Sequence, residues 1–137
     1  MRLVILLALI ISAAPGALAQ MVVLNGVPTS KVESSSAETK REVLAQGKQL
    51  EARVLITKEG GNYFWASRGN RPLVYRASGV VHVFVEPGGA GYIEVIDQNS
   101  LPEAMRSRDR SRILYKEHIR SMLTSITYWG GSDAFAP

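Results

Sequence analysis

The stretch ILYKEHIRSMLTSITYWGG, residues 113–131, decides how this chain is read. Within it Tyr115, Ile119, Met122, Ile126 and Trp129 recur at three- and four-residue intervals, flanked by Leu114 and Leu123. That is the spacing of one apolar helix face, and Gly130 with Gly131 supply a stop. Upstream, Ser100 followed by Glu103 has the form of a capping box, with Pro102 in the first turn where its missing N–H costs little. The spacing predicts a long C-terminal helix, broken near Ser107 to Asp109, followed by a flexible tail over 132–137.

Working outward, the period changes to two. Leu50, Ala52, Val54 and Ile56 alternate with polar residues, the mark of a half-buried strand. Turn signals follow at Gly60 and Gly61, at Gly69 and Asn70, at Ser78 and Gly79, and over Pro87 to Gly91. They predict five strands, near 49–58, 62–68, 71–77, 80–86 and 92–97, in an antiparallel meander. Residues 20–48 read as a lead-in with at most one short strand and a short helix over Ala37 to Gln46, capped by Ser35 with Glu38. The expected fold is therefore α+β, a five-stranded meander with the long C-terminal helix on one face, in one domain over 49–131.

Hairpin turns set register, and register sets which side chains share a face. Pairing Ile56 with Trp65, Trp65 with Val74, Val74 with Val83 and Val85 with Ile93 gives one apolar face carrying Val54, Ile56, Trp65, Val74, Val81, Val83, Val85, Ile93 and Val95. Five large helix residues buried there at about 1.5–3 kcal/mol each contribute on the order of 10 kcal/mol before entropy. The opposite face is mixed, with Arg53, Phe64, Arg68, Arg71, Leu73, Tyr75, His82, Phe84, Tyr92 and Glu94.

Two candidate sites lie on the mixed face. Tyr75 opposite His82, with Glu94 near by, forms a cluster able to move protons, against the plainer reading of a structural histidine held by a tyrosine. Arg53 and Arg68, paired toward one end, repel unless an anion or carboxylate lies between them. With Arg71, Phe64 and Tyr92 they make a candidate surface for an anionic or carbohydrate ligand, against the plainer reading of arginines that flank a hairpin tip for solubility. Arg106, Arg108, Arg110 and Arg112 form a second basic cluster, which also reads as a solvated surface. The two histidines lack ligand spacing, and no nucleotide loop or acyl-transfer serine motif occurs, so no metal or cofactor is implied.

The N-terminus reads as an export signal. Arg2 is followed by an apolar run from Leu3 to Ala14, then Ala17-Leu18-Ala19 ahead of Gln20, which places cleavage after Ala19. That run is too short for the roughly 20 residues of a spanning helix, and Pro15 with Gly16 ends it. There is no cysteine, so disulfides and a lipid-modified cysteine are excluded. The net charge of +4 is mild and does not by itself support a nucleic-acid partner. The expectation is a periplasmic or secreted binding module for an anionic, carbohydrate or protein ligand, with anionic envelope lipid and polysaccharide as partners in view. The alternatives are a small hydrolase or lyase using His82, Tyr75 and Glu94, and a structural, self-associating protein.

Overall fold

Ile113, Tyr115 and Glu117 are buried while Leu114, Lys116 and His118 between them are less so, and a period of two belongs to a strand. Tyr115 and Ile119 are four apart, which is one helical turn but also two strand repeats. β-Branched Ile113, Ile119, Thr124, Ile126 and Thr127 resolve the ambiguity toward strand. The chain turns between them, where the Ser121 N–H donates to the Thr124 carbonyl at 2.9 Å and the two hydroxyls meet at 2.6 Å. Met122, expected in the buried stripe, is 100% exposed at this tip. The long C-terminal helix is thus corrected to a β-hairpin.

The computed structural model describes residues 19–108 and 110–137, so the export signal expected over residues 1–19 lies, apart from Ala19, outside the described residues. Among the described residues nine strands occur, in the order β1 (Met21–Ser35), β2 (Thr39–Val43), β3 (Val54–Glu59), β4 (Asn62–Trp65), β5 (Arg71–Ser78), β6 (Val81–Val85), β7 (Gly91–Asp97), β8 (Ile113–Arg120) and β9 (Thr124–Ser132). The single α-helix among the described residues is α1 (Gln46–Glu51). All neighbours are antiparallel, and β9 pairs back onto β1, which closes β1 and β3–β9 into an eight-stranded barrel. The expected α+β open meander is corrected accordingly.

Closure rests on β1, which is long enough to serve two partners. Met21 to Gly26 pairs with β3, and Val27 to Ser35 pairs with β9, with the register interrupted by a bulge between Pro28 and Ser30. β2 extends the sheet beyond the barrel along the second half of β1. The helix expected over Ala37 to Gln46 is this strand. The capping pattern serves a hairpin turn instead, since the Ser35 hydroxyl accepts the Ala37 and Glu38 N–H groups at 3.3 and 3.2 Å. At the other terminus, Phe135 bridges to Leu24, and the Ala136 N–H donates to the Val23 carbonyl at 3.0 Å.

Register explains which faces were inverted. Ile56 pairs with Trp65, but β4 then ends in a 3-10 turn over Ala66–Arg68, with Gly69 and Asn70 left-handed at φ 76° and 55°. Trp65 therefore faces Arg71 rather than Val74, an odd displacement. An odd slip turns every side chain over. Leu73, Tyr75, His82 and Phe84 point into the barrel, while Val74, Val81, Val83 and Val85 point out. A second odd displacement, Val85 opposite Tyr92, returns Ile93 and Val95 to the interior. The core is filled by Leu24, Val54, Ile56, Trp65, Phe84, Ile93, Val95 and Ile113, with Tyr63, Tyr75 and Phe135 packed against it. As in other eight-stranded barrels, side chains occupy the lumen.

Candidate functional site

The residues singled out in the sequence are dispersed by the barrel. Tyr75 and His82 do meet, with Tyr75 Oη and His82 Nδ1 at 2.7 Å, among the rings of Tyr63, Phe84 and Phe135. Burial holds the Tyr75 hydroxyl above its ordinary pKa. Glu94 is not with them. It lies on the outer wall and ion-pairs with Lys116, opposite it on β8. Tyr92 is also on the outer wall, stacked on His118, whose pKa burial pushes down. Arg53 and Arg71 are exposed, Phe64 is half-buried, and only Arg68 turns inward.

Arg68 is carried by the turn after β4 to a carboxylate that the sequence reading passed over. Glu117 is 0% exposed; it accepts the Trp65 indole N–H and an Arg68 guanidinium N–H, each at 2.8 Å. Burial pushes the Glu117 carboxyl above its ordinary pKa, and Arg68 and Trp65 oppose that shift without cancelling it. On the helical reading Glu117 fell on a polar face. An acid placed in strand period between apolar Tyr115 and Ile119 is the signal that identifies it. Arg68 also lines a small cleft of about 290 Å³ beside α1, with Lys31, Lys48, Glu42, Glu51 and Tyr128.

The larger opening lies on the outside of the barrel, a groove of about 790 Å³ over β6–β9 and the β1–β2 hairpin. Register puts Val81, Ile96, Leu114 and Gly131 side by side in one row across four strands. Three strand spacings make this row about 14 Å long. The next row brings Glu94, Lys116, Trp129 and Ser30. Trp129, read in the sequence as core, is 38% exposed here. Arg41 and Arg110 also line the groove, so its charged side chains are three cationic (Arg41, Arg110, Lys116) and one acidic (Glu94).

The loop at one end of the groove is held by side-chain hydrogen bonds at several of its described residues. Arg112 grips Asp97 with a closest contact of 2.6 Å, and buried Gln98 bonds the Ser107 N–H and the Ser111 carbonyl at 2.6 and 2.7 Å. Arg106 donates to the Leu101 carbonyl at 2.9 Å. Two of the four clustered arginines therefore hold the loop that presents Arg110 and Ser111. His82 lines neither the groove nor the cleft, and no group of three or more potential ligands for a metal occurs among the described residues.

Two buried side-chain atoms among the described residues lack a hydrogen-bond partner, Arg68 Nε and Tyr115 Oη. Tyr115 is among the residues lining the groove and Arg68 among those lining the cleft. An orphaned buried polar atom costs about 1–3 kcal/mol and asks for an explanation. Comparison with protein-family models, with curated proteins and with solved structures gives no match for this chain.

Proposed function

We propose that the protein is an exported, non-enzymatic binding module that takes an amphipathic anion in its outer groove. The observation that carries this reading is an apolar row, Val81, Ile96 and Leu114, left open beside a half-exposed Trp129 and bordered by Arg41 and Arg110, on a barrel whose interior is already full. A groove of about 790 Å³ is in the range that suits a small ligand, and exposed apolar surface beside cations favours an aliphatic body with an anionic head. The outer wall does not have the form of a membrane-crossing belt. β4 and β6 have 4 and 5 residues, against about 9–11 for a crossing strand, and the lumen is apolar rather than polar. Export rests on residues 2–19 of the sequence, and the expected mature N-terminus is Gln20.

The test is calorimetric titration of the mature protein with dodecanoate and dodecyl phosphate below their micellar concentrations. Saturable binding is expected, weakened at least about tenfold, or ~1.4 kcal/mol, by Trp129→Ala. Arg41→Ala with Arg110→Ala is expected to weaken the anions and leave dodecanol unchanged. Absence of saturable binding, or a saturable response to a neutral oligosaccharide alone, overturns the reading.

A further inference from the structure

We infer that the buried hydroxyl of Tyr115 is the hydrogen-bond donor for the polar head of the groove's ligand, reached past Gly130 at the bulge in β1. The inference rests on the groove reading and names the recognition chemistry within it. Tyr115 is 3% exposed, and its hydroxyl makes no hydrogen bond. Phenylalanine would fill the same volume without leaving a polar atom unpaired, so packing alone does not account for a tyrosine.

The surroundings point the hydroxyl toward the groove. Tyr115 faces Gly130 across the β8–β9 ladder, and a β-carbon on Gly130 would lie 2.8 Å from the hydroxyl while striking the Val27 carbonyl. Gly130, Gly131 and Tyr115 itself line the groove, so the hydroxyl sits against backbone of the groove wall. At the same place the β1–β9 ladder is interrupted, since the register skips from Pro28 opposite Gly130 to Ser30 opposite Trp129 and leaves Thr29 in the bulge. Opening at this interruption exposes the hydroxyl at the cost of the two hydrogen bonds that hold Thr29, from its hydroxyl to the Trp129 carbonyl at 3.3 Å and from the Leu44 N–H to its own carbonyl at 2.9 Å. Burial raises the Tyr115 pKa, so the group stays protonated and can only gain by meeting an acceptor. The head group then lies over Gly130, with Arg110 near by and the Ser111 side chain covering Gly131, and the aliphatic body follows Leu114, Ile96 and Val81. A carboxylate or phosphate oxygen supplies the acceptor.

The experiment compares wild type with Tyr115→Phe in two measurements. Without ligand, Tyr115→Phe is expected to melt at or above the wild-type temperature, because it removes an orphan and nothing else. With dodecanoate, its Kd is expected to rise about tenfold, and the ζ-carbon resonance of Tyr115 in 13C-tyrosine-labelled wild type is expected to move on titration. A melting temperature lowered by several degrees, which assigns the hydroxyl a partner inside the fold, overturns the inference; so does an unchanged Kd. The two readings fail separately. If Trp129→Ala weakens dodecanoate and Tyr115→Phe does not, the groove stands and the donor falls. If Tyr115→Phe weakens it and Trp129→Ala does not, the groove reading falls. A wild type that binds nothing overturns both.

Discussion

Tyr115 and Glu117 stand two residues apart on β8 with both side chains turned into the barrel, yet the fold treats them in opposite ways. Around Glu117 both carboxylate oxygens find donors, the Trp65 indole on one and Arg68 on the other, although the Arg68 Nε beside them has no partner. Around Tyr115 the backbone is pared to Gly26 and Gly130, and the hydroxyl is left with nothing. A satisfied buried charge ties β4, the turn after it and β8 together. An unsatisfied donor against the groove wall holds capacity in reserve.

The largest effect expected from breaking this contrast is at Arg68. Arg68→Ala leaves the Glu117 carboxylate buried with only the Trp65 indole as partner, and should cost about 3–5 kcal/mol at neutral pH in chemical denaturation. Glu117→Gln, which removes the buried charge and leaves the partly exposed Arg68 to solvent, should cost less. If the two variants cost the same, the ion pair is not what anchors this part of the barrel. Next in size is Gly130→Ala. Its β-carbon meets the Val27 carbonyl, Pro28 Cα and the Tyr115 hydroxyl, so the β1–β9 seam has to shift. A loss of about 1–3 kcal/mol is expected, and a neutral result would remove the claim that the wall is tightly closed there.

The smallest effect is the sharpest in sign. Glu117 has a raised pKa when folded, so its contribution is fully present below its ordinary value of 4.5 and is lost as pH rises through the raised value. Asp97 is the reverse. The hydrogen bond from Arg112 lowers its pKa, so its contribution is present above its ordinary 3.8 and is lost as pH falls through the lowered value. The stability of Glu117→Gln relative to wild type should therefore grow as pH rises from about 4.5. The deficit of Asp97→Asn, under about 1 kcal/mol for a surface pair, should vanish on acidification. Melting temperatures across pH check both slopes, and a common slope would place the two carboxylates in the same environment.

Parts of this arrangement were legible in the sequence. Gly60 and Gly61 mark the β3–β4 turn, and the pairing of Ile56 with Trp65 follows from it. Tyr75 beside His82 could also be read, although by a different register from the one that brings them together. The Glu117 cluster could not, because Glu117 is 52 residues from Trp65 and 49 from Arg68 and meets them only when β8 is a strand and the sheet has closed. The groove was hidden by the same two errors. A helix reading placed Trp129 in the core, and one odd slip after β4 sent the three valines of β6 inward when they belong outside.

The sequence by itself determined a cysteine-free chain with alternating β-rich runs between 54 and 97, and turns whose glycines and Asn70 take the left-handed backbone they require. These are local properties, carried by neighbouring residues. Tertiary structure decided strand against helix over 113–129, because positions four apart serve both periods, and the preference of the β-branched residues there becomes binding only through pairing with β7 and β1. It also decided which side of each strand is inside. With a period of two, a single extra residue in one turn inverts a face, and that choice is settled by the whole closed barrel rather than by any one hairpin.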